Sequence, residues 1–217
     1  MYWNQKFSSS ASFRTTETES PLTVRHLLDR AAAGQAGLSP LNLRWDDLVG
    51  MANVPVTPQT LYRSHWGTAA EVMSDGLRRS SDASGDDYYC GILTHTARLC
   101  GSYRGALSLT PSASTALRFQ KRGHSFVTIS TKHDARSYQP LGKIIHDHAD
   151  RLMQEKKVLP ATVLGALRNM SRYQENEYFY MGGNIPPHHI SAAWSSDNNA
   201  GDPRLAGGGP ELQITRL

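Results

Sequence analysis

The sequence predicts a mixed α/β protein, because two kinds of apolar periodicity follow each other along one chain of 217 residues. Apolar and polar residues alternate in Ala106–Thr110, which is typical of a strand with one buried face. Between residues 141 and 170, apolar residues recur instead at helical spacing. A chain of this length is enough for one substantial domain and a tail.

The composition excludes several classes of protein. Apolar residues make up 39% and charged residues 19%, as in an ordinary globular protein. The 23 basic and 19 acidic residues leave a net charge of +4, which does not indicate a nucleic-acid partner. No run of 18 apolar residues occurs, so a membrane span is not expected. Two cysteines are too few for a disulfide scaffold and favour free thiols.

The first 22 residues are predicted to form a flexible leader. They are rich in serine and threonine, and they lack the apolar core of a cleavable signal peptide. Such a segment has too few apolar residues to order itself. We therefore expect either a leader that a specialised export system of the type III kind recognises, or plain disorder.

Residues 23–56 are interpreted as one helix and a connection. The helix is predicted from Thr23 to Ala33, with Pro21 before it and Gly34 after it. Residues 38–58 contain three prolines and are predicted to be mostly connection. The main domain is accordingly predicted to span residues 57–195, and residues 196–217 form a C-terminal tail rich in glycine, asparagine and aspartate.

Within the main domain, the first elements are a strand at 59–63, a short helix at 68–77 and a loop at 79–87. Residues 88–103 carry no clear pattern. After the strand at 106–110, Thr110-Pro111 is predicted to begin a helix that continues to Gln120, with Thr110 as its N-cap.

The second half of the domain shows a strand, two helices and two further strands. The strand is predicted at 125–130, and Pro160 separates the two helical patterns between residues 141 and 170. A short aromatic strand at 177–180 and a turn at 182–187 follow, and 189–194 is predicted as the last strand.

Three segments carry side chains suited to chemistry. Arg63 ends an apolar strand, and its planar guanidinium suits a phosphate or ribose oxygen. Ser108 and Thr110 share one face of their strand. Glu175 and Glu177 share one face of an extended segment, where their mutual repulsion is relieved by a cation. Taken alone, each segment is most simply explained as a solvated surface feature.

Taken together, the three segments resemble the arginine-serine-glutamate class of mono-ADP-ribosyltransferases, which includes the cholera-toxin-like and pertussis-toxin-like enzymes. The resemblance rests on the order Tyr62-Arg63, Ser108-Leu-Thr110 and Glu175-Asn-Glu177. The segment from Glu175 to Ile190 is also similar, because a paired-glutamate motif is followed by a short strand and a turn with Ile-Pro. The similar region covers roughly residues 59–195.

The resemblance implies two small, mostly antiparallel sheets that are flanked by helices around a central NAD cleft. It implies that Arg63 holds NAD and that Ser108 fixes the rotamer of the catalytic Glu177. Glu177 would bind the ribose 2′-hydroxyl and stabilise the oxocarbenium ion that forms as nicotinamide leaves. Glu175 would orient or deprotonate the acceptor, and a glutamate at this position goes with arginine acceptors in the family.

The resemblance also implies that Tyr62 and Thr110 help to bind NAD. Phe119, Tyr178 and Tyr180 are the candidates to stack on nicotinamide, and Phe119 is the one assigned to the binding site. The run Arg63-Ser-His-Trp-Gly67 departs from the family, which usually has an acidic residue and a second arginine here. No metal is expected, since the two histidines of His146-Asp-His148 point apart on a helix.

The expected function is that of a bacterial effector or toxin that transfers ADP-ribose from NAD to an arginine of a host or competitor protein. The protein is expected to act as a monomer and to be secreted or injected into another cell without a cleaved signal peptide. Two alternatives stay open: an NAD glycohydrolase, and a non-catalytic relative that binds a partner through the same cleft.

Overall fold

Two three-stranded antiparallel sheets form the β part of the protein. The computed structural model describes residues 22–34, 41–53, 57–98, 105–173 and 176–195. The predicted leader up to residue 21, the predicted tail from residue 196, Cys100 and Glu175 lie outside these ranges. The described strands are β1 (Thr60–Trp66), β2 (Ser108–Leu109), β3 (His124–Ser130), β4 (Tyr138–Pro140), β5 (Tyr178–Tyr180) and β6 (Ile190–Ser195).

The first sheet has the order β1-β3-β6, and the second has the order β2-β5-β4. In the described part of the chain, one pair of residues joins the backbones of the two sheets. The Tyr62 N–H donates to the Thr110 carbonyl at 2.7 Å, and the Thr110 N–H donates back to the Tyr62 carbonyl at 3.0 Å. The end of β2 therefore lies beside β1, on the edge opposite β3.

Seven α-helices flank the sheets in the part of the chain that the structure describes. They are α1 (Val24–Ala32), α2 (Trp45–Ala52), α3 (Ala69–Asp75), α4 (Gly85–Arg98), α5 (Ala113–Arg118), α6 (Leu141–Gln154) and α7 (Pro160–Tyr173). The predicted arrangement of two small antiparallel sheets flanked by helices is confirmed.

The buried apolar residues fall into two clusters that meet at β5. A helical core contains residues of α1, α2, α4, α6 and α7. A sheet core contains Leu61, Val127 and Ile129 of the first sheet together with Tyr178 and Tyr180 of the second. Successive residues of a strand point to opposite faces, so Phe179, between the two tyrosines, belongs to the helical core.

The segment predicted as mostly connection, residues 38–58, contains helix α2. Leu48 of this helix is fully buried in the helical core, to which Leu28 of α1 and Ile145 of α6 also belong. The helix is only eight residues long, and proline-rich sequence surrounds it, so its periodicity is too short to recognise. Both α1 and α2 thus pack in the same core as helices of the region 57–195, where the main domain was predicted.

The helix after β2 begins later than predicted, because Ser112, not Thr110, is its N-cap. The Ser112 hydroxyl accepts from the Thr115 N–H at 3.2 Å, and α5 starts at Ala113. Thr110 keeps an extended pairing with Tyr62, which uses both backbone groups of Thr110. Pairing between the sheets therefore delays the start of this helix.

Besides α2, one further helix and one strand had no counterpart in the sequence prediction. Helix α4 occupies most of the unassigned segment 88–103, and strand β4 is only three residues long. The other predicted strands and helices of the main domain are present with small shifts at their ends. None of the described helices has the length and apolar character that crossing a membrane requires.

Three histidines cluster beside β4 at the end of the sheet core. The His189 ring lies 5.4 Å from that of His133 and 4.6 Å from that of His188, measured between ring centroids. His189 is buried, and its Nδ1 lies 2.7 Å from the Tyr138 hydroxyl. Burial lowers the pKa of His189, as do His188 and His133, whereas Asp134 opposes this shift.

This cluster predicts a loss of stability in mild acid. The pKa of His189 is lower in the folded chain than its ordinary value of 6.5, so the unfolded chain binds the proton first. The stability from neutral His189 is present above pH 6.5 and is lost as the pH falls toward the folded pKa. We expect His189→Gln to reduce the fall in the free energy of unfolding as the pH decreases below 6.5, measured by urea denaturation. His26→Gln, at an exposed position on α1, is the control, and equal pH dependence in all three proteins would contradict the prediction.

Candidate active site

A cleft of about 570 Å³ opens where the two sheets meet, which is a typical volume for a small-molecule site. Its strand wall comes from the middle of β1, from β2 and from Glu177, which directly precedes β5. Its helical wall comes from α4, α5 and α7. The cleft residues used below are Tyr62, Arg63, Ser64, His95, Ser108, Thr110, Phe119, Lys121, His124, Asn169 and Glu177.

The register of the second sheet brings Ser108 and Glu177 together. Ser108 pairs with Phe179, so Glu177 is its diagonal neighbour on the same face of the sheet. The Ser108 hydroxyl donates to Glu177 Oε1 at 2.6 Å. This bond fixes the position of the carboxylate, as the resemblance implies for the catalytic pair.

Arg63 is held against the same strand. Its Nη1 donates to the Ser108 carbonyl at 2.6 Å. Burial lowers the pKa of Arg63 to about 10, although Glu177 acts to raise it. The guanidinium is therefore still charged at neutral pH, and it has given only one of its donors to Ser108.

His65 occupies the position where the similar toxins usually carry an acidic residue. Its Nδ1 accepts a long hydrogen bond of 3.4 Å from Arg63 Nε. Burial, Arg63 and His124 lower the pKa of His65 to about 4, so this ring is a neutral acceptor at physiological pH. His65 thus keeps a contact to Arg63, but it lacks the negative charge of an acidic residue.

Glu177 combines burial with two stabilising neighbours. Burial raises the pKa of its carboxyl, while the Ser108 hydrogen bond and the charge of Arg63 lower it. A carboxylate in such a place is poorly solvated, so a cation that forms beside it interacts with it strongly. The arrangement is suited to stabilise positive charge that develops on a bound ligand.

The other predicted ligand-binding residues also line the cleft. Tyr62 packs its ring against Phe126, with centroids 5.7 Å apart. Thr110 is buried, and its hydroxyl accepts from the Ser112 N–H at 3.2 Å. Phe119 follows α5, and it is 55% exposed, so its ring is available to a ligand. The structure therefore brings together Tyr62, Arg63, Ser108, Thr110, Phe119 and Glu177, whereas Glu175 lies outside the described residues. Tyr178 and Tyr180, the other candidates to stack on nicotinamide, are instead buried in the sheet core and do not line the cleft.

Two residues of the helical wall were not identified as site residues from the sequence. His95 of α4 and Asn169 of α7 both line the cleft. His95 Nδ1 is buried without a hydrogen-bond partner, and burial together with Arg63 lowers the pKa of His95. A buried, unpaired ring nitrogen in a cleft indicates a ligand contact. In the sequence, His95 is only a polar residue within a segment that carries no clear pattern.

The structure shows no metal-binding cluster within the described ranges, where no three histidine, cysteine, aspartate or glutamate side chains gather suitably. His146 stacks on Trp45 and His148 stacks on Tyr89, with centroid distances of 5.4 and 3.8 Å. These two histidines therefore pack separately on α6.

Comparisons with known proteins give a remote similarity in structure. No protein-family model matches the chain, and no curated protein matches it. Among solved structures, a nicked form of CARDS toxin is similar, with 14% identity and a TM-score of 0.45. The similar part covers 65% of this chain and 26% of that toxin chain.

The contact between Ser108 and Glu177 can be tested without any assumption about function. Because the hydroxyl lowers the pKa of Glu177, Ser108→Ala should raise that pKa further. The measurement is a carboxyl ¹³C NMR titration, with the Glu177 signal assigned by its loss in Glu177→Gln. Ser191→Ala, which removes an exposed hydroxyl on β6, should leave the titration unchanged. An unshifted Glu177 signal in Ser108→Ala would show that the hydrogen bond does not form.

Proposed function

We propose that the protein is an NAD-dependent mono-ADP-ribosyltransferase that modifies an arginine of another protein. The observation that carries the proposal is the Glu177 carboxylate, held by the Ser108 hydroxyl at 2.6 Å inside a cleft that also contains Arg63. The resemblance in sequence assigns the same three residues to this reaction. We also propose that the protein is an effector that acts as a monomer inside another cell.

The chemistry needs negative charge more than it needs a general acid. The bond between the ribose C1′ and the nicotinamide nitrogen breaks, and both electrons leave with nicotinamide, which departs as a neutral molecule. The ribose is left as an oxocarbenium cation. The Glu177 carboxylate lies in a low-dielectric cleft, where it stabilises this cation without having to reorganise.

The remaining hydrogen-bond donors and rings of the cleft are assigned to the binding of NAD. Arg63 retains guanidinium donors that suit a phosphate or ribose oxygen, since only its Nη1 is used by Ser108 and its Nε contact is long. Phe119 offers an exposed ring for nicotinamide, and His95 offers a buried ring nitrogen. These groups would hold NAD bent, so that C1′ lies beside Glu177.

The acceptor completes the transfer. A guanidine nitrogen of the target arginine forms a bond to C1′ and gives up one proton, for which Glu175 is the proposed base. The products are nicotinamide, an ADP-ribosylated arginine and one proton. Glu175 is the reason for proposing arginine as the acceptor, because a glutamate two residues before the catalytic one goes with arginine acceptors in the similar toxins.

Glu177→Gln tests the central assignment. The substitution keeps the shape of the side chain but removes its charge, so nicotinamide release and protein labelling should both fall by roughly 10²–10³. The measurement is the transfer of label from radioactive NAD to proteins of a cell lysate. Glu155→Gln is a matched control, because that carboxylate lies in an exposed ion-pair network with Arg151 and Lys157. Full activity of Glu177→Gln would contradict the proposal.

Glu175→Gln tests the acceptor. We expect this variant to lose arginine labelling while it still releases nicotinamide from NAD in the absence of a protein acceptor. In the parent protein, an arginine-specific ADP-ribosyl hydrolase should remove the label. Nicotinamide release without any protein label in the parent would instead indicate an NAD glycohydrolase. Neither label nor nicotinamide release would indicate a protein that binds a partner through the cleft without catalysis.

A further inference from the structure

An exposed tryptophan lies just beyond the cleft. Trp66 is 71% exposed, the most exposed of the large apolar side chains among the described residues. It lies on the same face of β1 as Tyr62 and Ser64, which line the cleft. Its ring meets His124 edge to face, with centroids 5.6 Å apart, and His124 also lines the cleft. The indole thus continues the cleft wall outward onto the surface.

The indole packs against two neighbouring residues although it is largely exposed. A Cβ placed on Gly123 would lie 3.0 Å from Trp66 Cζ3, so the ring packs directly against this glycine. Gly123 has a φ of +78°, a left-handed conformation that also favours glycine. His124 supports the ring from its paired position on β3. A side chain that already packs against its neighbours loses less conformational entropy when it binds a partner.

The surface beside the indole is basic. Lys121 and Arg122 are exposed in the turn that leads to Gly123, and no acidic residue occurs between Arg118 and His124. The Glu71 carboxylate accepts from the Thr68 N–H at 2.7 Å and from the Thr68 hydroxyl at 3.0 Å, which holds it in a capping box at the start of α3. We call Trp66, Lys121 and Arg122 the basic rim.

We propose that the basic rim binds the acceptor protein, at an acidic segment that carries an apolar side chain next to the target arginine. This inference rests on the proposed function and adds the class of acceptor to it. Trp66 would be the apolar anchor, since tryptophan is enriched among the residues that dominate binding energy. Lys121 and Arg122 would select acidic neighbours by charge complementarity.

An alternative use of the indole would be to stack on the adenine of NAD. The position of Trp66 disfavours this use, because the indole does not line the cleft and only its neighbour His124 does. A protein surface that approaches the cleft with its arginine extended inward would meet the rim first. The acceptor protein is therefore the occupant that the geometry favours.

The experiment compares two fluorescent peptides, each with one central arginine and one leucine, of which one has flanking aspartates and glutamates and the other has lysines. Binding to the full chain is measured by anisotropy without NAD. The variants are Trp66→Ala and Arg122→Glu. The matched controls are Leu159→Ala, which removes an apolar side chain that is 68% exposed elsewhere, and Arg25→Glu on α1.

We expect the parent protein to prefer the acidic peptide, and Trp66→Ala to weaken its binding about tenfold. Arg122→Glu should reduce or reverse the preference, and both controls should bind like the parent. Equal binding of the two peptides by the parent, or unchanged binding of the acidic peptide by Trp66→Ala, would overturn the proposal.

A second measurement separates this inference from the proposed function. With agmatine as a small guanidine acceptor, nicotinamide release by Trp66→Ala should show a KM for NAD within about twofold of the parent value. A large rise in this KM would place the indole in the nucleotide site and overturn the docking proposal. A parent that never releases nicotinamide would refute the proposed function, whereas the peptide binding, measured without NAD, would still decide whether the rim is a docking surface.

Discussion

The pairing between Tyr62 and Thr110 is the constraint on which the candidate site depends. These two backbone hydrogen bonds, of 2.7 and 3.0 Å, join the two sheets. They place Arg63, one residue beyond the junction on β1, against Ser108 on β2. The register of the second sheet then brings Glu177 to the same serine. Residues far apart in the chain thus meet because one short pairing fixes the distance between the sheets.

The site also has an electrostatic cost, since both Arg63 and Glu177 lose hydration in the cleft. Burial lowers the pKa of Arg63 to about 10 and raises the pKa of Glu177. Each charge offsets part of the desolvation of the other, and Ser108 contributes a hydrogen bond to each. A well-solvated carboxylate would be less effective beside a forming cation, so the burial that costs free energy in the cleft would favour the proposed chemistry.

The sequence predicted those parts of the fold in which a pattern runs long enough to be read locally. The alternation in β3 and the apolar spacing of α6 and α7 are of this kind. Helix α2 and strand β4 are short and are stabilised by burial against distant elements, which no local pattern reports. In the site, Arg63, Ser108 and Glu177 were recognisable because their order resembles a known family. His95 was not, since its position in the cleft results only from the packing of α4 on α7.

Because α1 and α2 pack in the helical core, a fragment of the chain needs both helices to keep that core covered. A fragment that began at residue 57 would retain every described residue of the cleft, yet it would expose apolar surface of α6, which α1 and α2 now contact. An exposed face of this kind promotes aggregation. The first two helices, which contribute no side chain to the cleft, therefore belong to any fragment intended for crystallisation or activity measurements.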